Sequence, residues 1–286
     1  MPVMKSVIFL LLTALGPSHL LAQAGGARQP DPAFPAHKVI GNIYFVGTAN
    51  VSSHLITTPE GHILIDGTWE RNVPQIRQSV EKLGFRFTDI KLLLIAHAHG
   101  DHVEANALIK ELTGARVVVM DRDVPGMERL RTPGGKPLPV DQVVHHLERI
   151  TLGGVTLTAH LTPGHTPGNT TWTLKAQEGG RTYDVVVPGA VATNPGTHLA
   201  DNKEYPNIIE DNHFFYRYLR ILPCDVMLGT HGRFYDLEQR YAQLDKGPNP
   251  YINGQQGCLK QIDDWQNLFD SRLADDKKRI EGGTQR

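Results

Sequence analysis

Lys91-Leu92-Leu93-Leu94-Ile95-Ala96-His97-Ala98-His99-Gly100-Asp101-His102 joins two unlike halves. Leu92, Leu93, Leu94 and Ile95 form an unbroken apolar run, the pattern of a strand buried on both faces. His97, His99, Asp101 and His102 then put four metal-ligand side chains within six residues. Side chains at i and i+2 of an extended chain point the same way, so His97 and His99 share a side. Gly100 is expected to turn the backbone sharply and bring Asp101 and His102 round to the same space. Val103, Ala107, Leu108 and Leu112 follow at helical spacing. The cluster therefore belongs on a strand-to-helix turn, open to solvent and anchored by the core.

A single histidine is most often a solvated or satisfied polar residue. Three imidazoles and a carboxylate this close have no packing explanation. Nitrogen and carboxylate ligands without a nearby thiolate suit zinc ahead of iron or manganese. The turn separates His97 and His99 from Asp101 and His102, which favours two metals, each completed from elsewhere, over one ion holding all four. Paired metals lie about 3.5–4 Å apart and clamp the attacking and leaving atoms of a hydrolysis.

The chain of 286 residues is 40% hydrophobic, enough for a sizeable core, and its net charge of -1 offers no basic field for nucleic acid or a membrane surface. Residues 1–24 read as a secretory signal peptide, with Lys5 as the positive start, an apolar core from Val7 to Leu15 and the small-residue site Ala22-Gln23-Ala24. That apolar run is shorter than the roughly 20 residues of a membrane span. One mature domain, residues 25–286, is expected, exported to the periplasm in a Gram-negative host. Cys224 and Cys258 are the only cysteines. Their spacing alone fits a disulfide or two buried thiols; the export signal favours the disulfide.

Short apolar runs read as strands at residues 39–46 (interrupted by Gly41-Asn42), 52–57, 62–65, 116–120, 143–146, 149–152, 155–161, 171–174, 183–187 and 225–228. Helical spacing marks residues 72–83, 208–222, 237–244 and a last helix carrying Leu259, Ile262, Trp265, Leu268, Phe269 and Leu273. Residues 121–130 read as a weaker helix broken by Pro125-Gly126. Strand groups alternate with helices in each half, which suggests two packed sheets with helices outside.

Two more histidines stand in loops that follow strands: His165 within Thr162-Pro163-Gly164-His165-Thr166-Pro167-Gly168, and His231 within Gly229-Thr230-His231-Gly232. The other histidines of the mature chain lie in arm, strand or helix patterns. His145-His146 is the one rival pair, and adjacent strand residues face opposite ways.

The cluster, the His165 loop and the His231 loop, in this order and spacing, resemble the metallo-β-lactamase superfamily. Within it the chain is most similar to the class B β-lactamases of subclass 3. The likeness begins at Gly41-Asn42-Ile43-Tyr44-Phe45-Val46-Gly47 and includes His62-Ile63-Leu64-Ile65-Asp66-Gly67 and Leu222-Pro223-Cys224-Asp225-Val226. It implies an α/β fold, an αββα four-layer sandwich with the metal site at one edge of two face-to-face mixed sheets. It implies one zinc on His97, His99 and His165 and a second on Asp101, His102 and His231. It also implies a disulfide between Cys224 and Cys258, as some members have. The implied activity is hydrolysis of the β-lactam amide bond of penicillins, cephalosporins and carbapenems by water that the metal pair deprotonates. Asp101 then orients the nucleophile as well as ligating, and antibiotic resistance is the consequence. The expected partner is a small β-lactam, and the expected state a monomer.

Two details bear on this. Glyoxalase-like and lactonase-like relatives bridge both metals with an Asp near the end of the strand before the last His, whereas Val186-Val187-Pro188-Gly189-Ala190-Val191 has no carboxylate there. The second metal then needs His102. Subclass 3 enzymes often place serines after this strand to hold the substrate carboxylate; here only Thr193 and Asn194 are available. The alternative activity is hydrolysis of a lactone, thioester or phosphoester on the same fold. Asp66, at a strand end, is the candidate partner that fixes a ligand histidine.

Overall fold

The computed structural model describes residues 29–283. The expected signal peptide, residues 1–24, lies outside the described residues. Seven strands form the first sheet: β1 (His37–Ile40), β2 (Ile43–Phe45), β3 (His54–Thr58), β4 (Gly61–Ile65), β5 (Ile90–Leu94), β6 (Arg116–Met120) and β7 (Gln142–Val144), ordered as in the sequence. β1 to β4 pair antiparallel, and β4 to β7 are parallel. The second sheet holds β8 (Arg149–Leu152), β9 (Val155–Leu161), β10 (Thr170–Glu178), β11 (Arg181–Val187) and β12 (Val226–Met227), antiparallel apart from the β11–β12 pair.

Strand alternation builds the layers. From β5, Leu92 and Leu94 enter the apolar layer between the sheets with Ile63, Ile65, Leu157, Trp172 and Val187. Leu93 points the other way, into a layer with Ile76 and Val80 of α1 (Val73–Lys82). Ile109 of α3 (Asn106–Thr113) joins that layer; it follows the short α2 (Gly100–Val103). On the far face of the second sheet, Val186 and Met227 meet Phe215 and Tyr216 of α5 (Ile208–Arg220) and Ile262, Trp265 and Phe269 of α7 (Gly254–Gly283). Helices cover both outer faces, so the expected αββα sandwich is present. The short α4 (Val124–Arg129) and α6 (Leu237–Tyr241) complete the helices. Cys224 and Cys258 form a disulfide that ties the first turns of α7 to the chain entering β12. No helix among the described residues is long and apolar enough to cross a membrane.

Three local readings change. Pro125 does not break the helix after β6. It stands in the first turn of α4, where its missing N–H has no intrahelical partner to lose. The helix expected from Val103 is split, ending at Val103 and resuming at Asn106. Gly100 is not in the left-handed region; it fits closely under the Trp69 ring, where a Cβ would lie 3.0 Å from the ring and press it outward by a few tenths of an ångström.

Candidate metal centre

Every proposed ligand follows the end of a strand at one edge of the sandwich. β5 ends at Leu94, so His97 and His99 lie beyond the ladder and are not aligned by strand alternation. A tight turn does this instead: the His99 N–H donates to the His97 carbonyl at 3.0 Å. α2 then starts at once, and its first turn presents Asp101 and His102. The β9–β10 connection supplies His165, and the chain after β12 supplies His231.

The side chains gather into two trios, His97/His99/His165 and Asp101/His102/His231, and within each the potential ligand atoms all lie within 4.8 Å of one another. The two trios adjoin, since the His97 and His102 ring centroids are 4.1 Å apart. In the first trio, His165 Nδ1 donates to the Ala192 carbonyl at 2.6 Å, which leaves its Nε2 lone pair facing His99 Nδ1 at 2.8 Å. In the second, His102 Nδ1 lies 2.9 Å from Asp66 Oδ2, and His231 Nδ1 lies 2.9 Å from the Asn50 carbonyl. Their Nε2 atoms lie 3.3 and 3.6 Å from Asp101 Oδ2.

The donor set fits divalent metal ions. His102 Nε2 is fully buried and points at its trio, where the Asp101 carboxylate at 3.3 Å lies outside hydrogen-bonding geometry. An orphan of this kind carries a desolvation cost unless something binds it. Asp66 behind His102 is the carboxylate that ligand histidines commonly have on their other nitrogen. Burial, reinforced by neighbouring rings, pushes the His165 imidazole down to about 3 and that of His231 to about 4, and holds His97 well below its usual range. These rings are therefore neutral, with lone pairs free. His102 goes the other way: burial opposes its charge, but the Asp66 and Asp101 carboxylates raise it to about 9, so a metal ion bound there has to displace the Nε2 proton. Burial also disfavours the Asp101 carboxylate, yet His102 and His231 outweigh it and keep the group ionised.

Asp66 was legible as a strand-end acid. Asp123 was not. It is buried, and it accepts from the Ala98 N–H at 2.7 Å, the Thr166 hydroxyl at 2.9 Å and the Gly168 N–H at 2.8 Å. It thus ties the His97–His99 turn to the His165 loop. Burial pushes its carboxyl upward, against the three donors that favour the anion. A Cβ on Gly168 would come within 2.3 Å of the Asp123 nitrogen, so only glycine allows this approach. Thr193 and Asn194 lie just beyond Ala192. Thr193 is buried, with its Oγ1 accepting from Arg272 Nη1 at 2.8 Å, and Asn194 is exposed.

A family model described as the metallo-beta-lactamase superfamily matches residues 46–178. The FEZ-1 metallo-β-lactamase of Legionella gormanii is 42% identical, with a TM-score of 0.80 over 88% of this chain and 99% of that one. The chain belongs to the metallo-β-lactamase superfamily. Its neighbours there are of subclass B3: BJP-1 of Bradyrhizobium japonicum, a subclass B3 metallo-β-lactamase, is 32% identical, with a TM-score of 0.81 over 88% of this chain and 98% of that one. A hydroxyacylglutathione hydrolase of Rhizobium meliloti is 34% identical over 110 residues, and the chain spans only 37% of that relative's length.

Proposed function

We propose that the protein is a zinc-dependent β-lactamase, opening the amide bond of penicillins, cephalosporins and carbapenems and so conferring resistance. The observation that carries this reading is the second trio. His102 turns a buried nitrogen that makes no well-formed hydrogen bond toward Asp101 and His231, and so would supply the ligand that a bridging Asp supplies elsewhere in the superfamily.

His97, His99 and His165 would hold one zinc, and Asp101, His102 and His231 the other. Bound there, zinc would lower the pKa of water from about 16 toward ~7 and polarise the lactam carbonyl. The Asp101 carboxylate, ionised beside His102 and His231, accepts a hydrogen bond from the attacking water and aims it. Asp66, Ala192 and Asn50 fix the tautomers of His102, His165 and His231 by holding the Nδ1 protons. The departing nitrogen takes its proton from water. The Thr193 oxygen already accepts from Arg272, so its hydroxyl proton is free to donate to the substrate carboxylate, with the exposed Asn194 amide beside it. No covalent intermediate is involved, and both cysteines are committed to the disulfide. That disulfide suits an oxidising compartment, in keeping with export of the mature chain to the periplasm. One chain contributes all six ligands, which suits a monomer.

The hydroxyacylglutathione hydrolase match favours a second reading, a thioester hydrolase. Against it, the chain leaving β11 offers Pro188, Gly189 and Ala190, where such relatives need a carboxylate. Turnover of nitrocefin, a carbapenem and a glutathione thioester, each with and without chelator, separates the two. Chelator-sensitive carbapenem hydrolysis is the expected outcome. Turnover of the thioester alone would replace this reading with the second.

A further inference from the structure

We propose that Arg272 of α7 is a positioning residue for the first trio, acting through the loop of residues 188–200. The inference rests on the metal-site reading above and assigns it a distant support.

The loop carries Ala192, whose carbonyl holds His165 Nδ1. On the near side of Ala192 the loop is well fixed. The Asn169 side chain pairs with both backbone groups of Ala190, at 2.8 and 3.2 Å, and the Tyr216 hydroxyl donates to the Val191 carbonyl at 3.0 Å. On the far side the backbone is held by α7. Arg272 Nη1 donates to the Thr193 carbonyl at 2.5 Å as well as to its hydroxyl, and Nη2 donates to the Asn194 carbonyl at 2.9 Å. One helical turn on, Asp276 accepts from the Leu199 and Ala200 N–H groups at 2.8 and 2.9 Å. Arg272 makes no salt bridge among the described residues; all its hydrogen bonds go to this loop. A guanidinium is suited to this, because its fixed fork spans successive carbonyls that a lysine reaches one at a time.

α7 can serve as the reference frame because one face is buried and its start is tied down. Ile262, Trp265, Phe269 and Leu273 are buried on it, and the disulfide anchors its start. Its position is thereby passed through Arg272 to Thr193, through the backbone to Ala192, and through one hydrogen bond to the tautomer of His165. The first trio is tuned from the last helix, whereas Asp66, the support of the second trio, lies at the end of β4.

The test is zinc affinity of the purified chain, measured by competition with a chromophoric chelator, for the parent, Arg272→Ala, Arg272→Lys and His165→Ala. Loss of an outer partner typically weakens metal binding 10–100-fold. Arg272→Ala is expected to weaken one zinc about tenfold and leave the other within about twofold, and Arg272→Lys to recover part of the loss. Combined with His165→Ala, it should add nothing further for that zinc, because the two act on one ligand. Hydrogen exchange in residues 192–198 should quicken in Arg272→Ala alone. Equal weakening of both zincs, no weakening of either, or a full additional effect in the double variant would overturn the proposal. A parent chain that binds no zinc fails differently: it removes the metal reading itself.

Discussion

The two sheets contribute to the centre in opposite ways. The first sheet delivers four of the six proposed ligands from one turn after β5, so their spacing is set locally by six residues of chain. The second sheet delivers His165 and His231 singly, from loops 66 residues apart, and each is placed by long-range packing. The supports cross over. His231 is oriented by the Asn50 carbonyl of the first half, and the His165 loop is tied back by Asp123. Among the described residues, only the second half has a disulfide and a 30-residue helix as a brace. The half with local ligands can be thinly braced; the half with dispersed ligands needs a frame.

The largest effect should come from the local half. Asp101→Ala removes the only carboxylate of the six proposed ligands and the group proposed to aim the nucleophile. Metal analysis should show the second metal lost and the first kept. Turnover should fall on the order of a thousandfold, well beyond the 10–100-fold typical of an outer partner. A variant that kept both metals and the parent rate would show the ligand assignment to be wrong. Next comes the tie between the halves. Asp123→Ala strands three donors, each costing about 1–3 kcal/mol when buried and unpaired, so urea unfolding should report a loss of about 4 kcal/mol. A loss under about 1 kcal/mol would mean that the halves are held together elsewhere.

The same contrast explains what could be read beforehand. Four ligand-type side chains in six residues stand out in any sequence, and the uninterrupted Leu92–Leu94 run announces its strand. His165 and His231 were visible as loop histidines, but their convergence depends on how two sheets pack, which local periodicity does not encode; the family resemblance supplied it. Asp123 gave no signal because a lone acid before a proline-containing helix is ordinary. Ala192 and Asn50 act through backbone carbonyls, which every residue has. Arg272 lies 79 residues from the oxygen it binds, so neither spacing nor composition marks it. Boundaries slipped where backbone chemistry overrode pattern, as at Pro125, which opens α4 rather than ending it.

The smallest effect compares one buried histidine from each sheet away from the metal site. His160, on β9, lies between the Tyr218 hydroxyl at 3.0 Å and the Thr173 hydroxyl at 2.8 Å. Burial, helped by nearby His146, lowers it to about 4; burial lowers His54, on β3, to about 3. Between an unfolded value near 6.5 and these folded values, the unfolded chain binds a proton that the folded chain refuses. Each ring's contribution is therefore intact above pH 6.5 and is lost as pH falls through that window. By pH 5 the loss reaches at most about 2 kcal/mol per ring, from 1.36 kcal/mol per pH unit. His160→Gln keeps a hydrogen-bonding side chain but cannot titrate. Its unfolding free energy should fall less steeply from pH 7 to pH 5 than the parent's, by about 1–2 kcal/mol, and His54→Gln should behave alike. Every other histidine is common to parent and variant, so the difference isolates the substituted ring. Parallel pH curves for His160→Gln and the parent would mean that the second sheet lets in the proton that the first excludes.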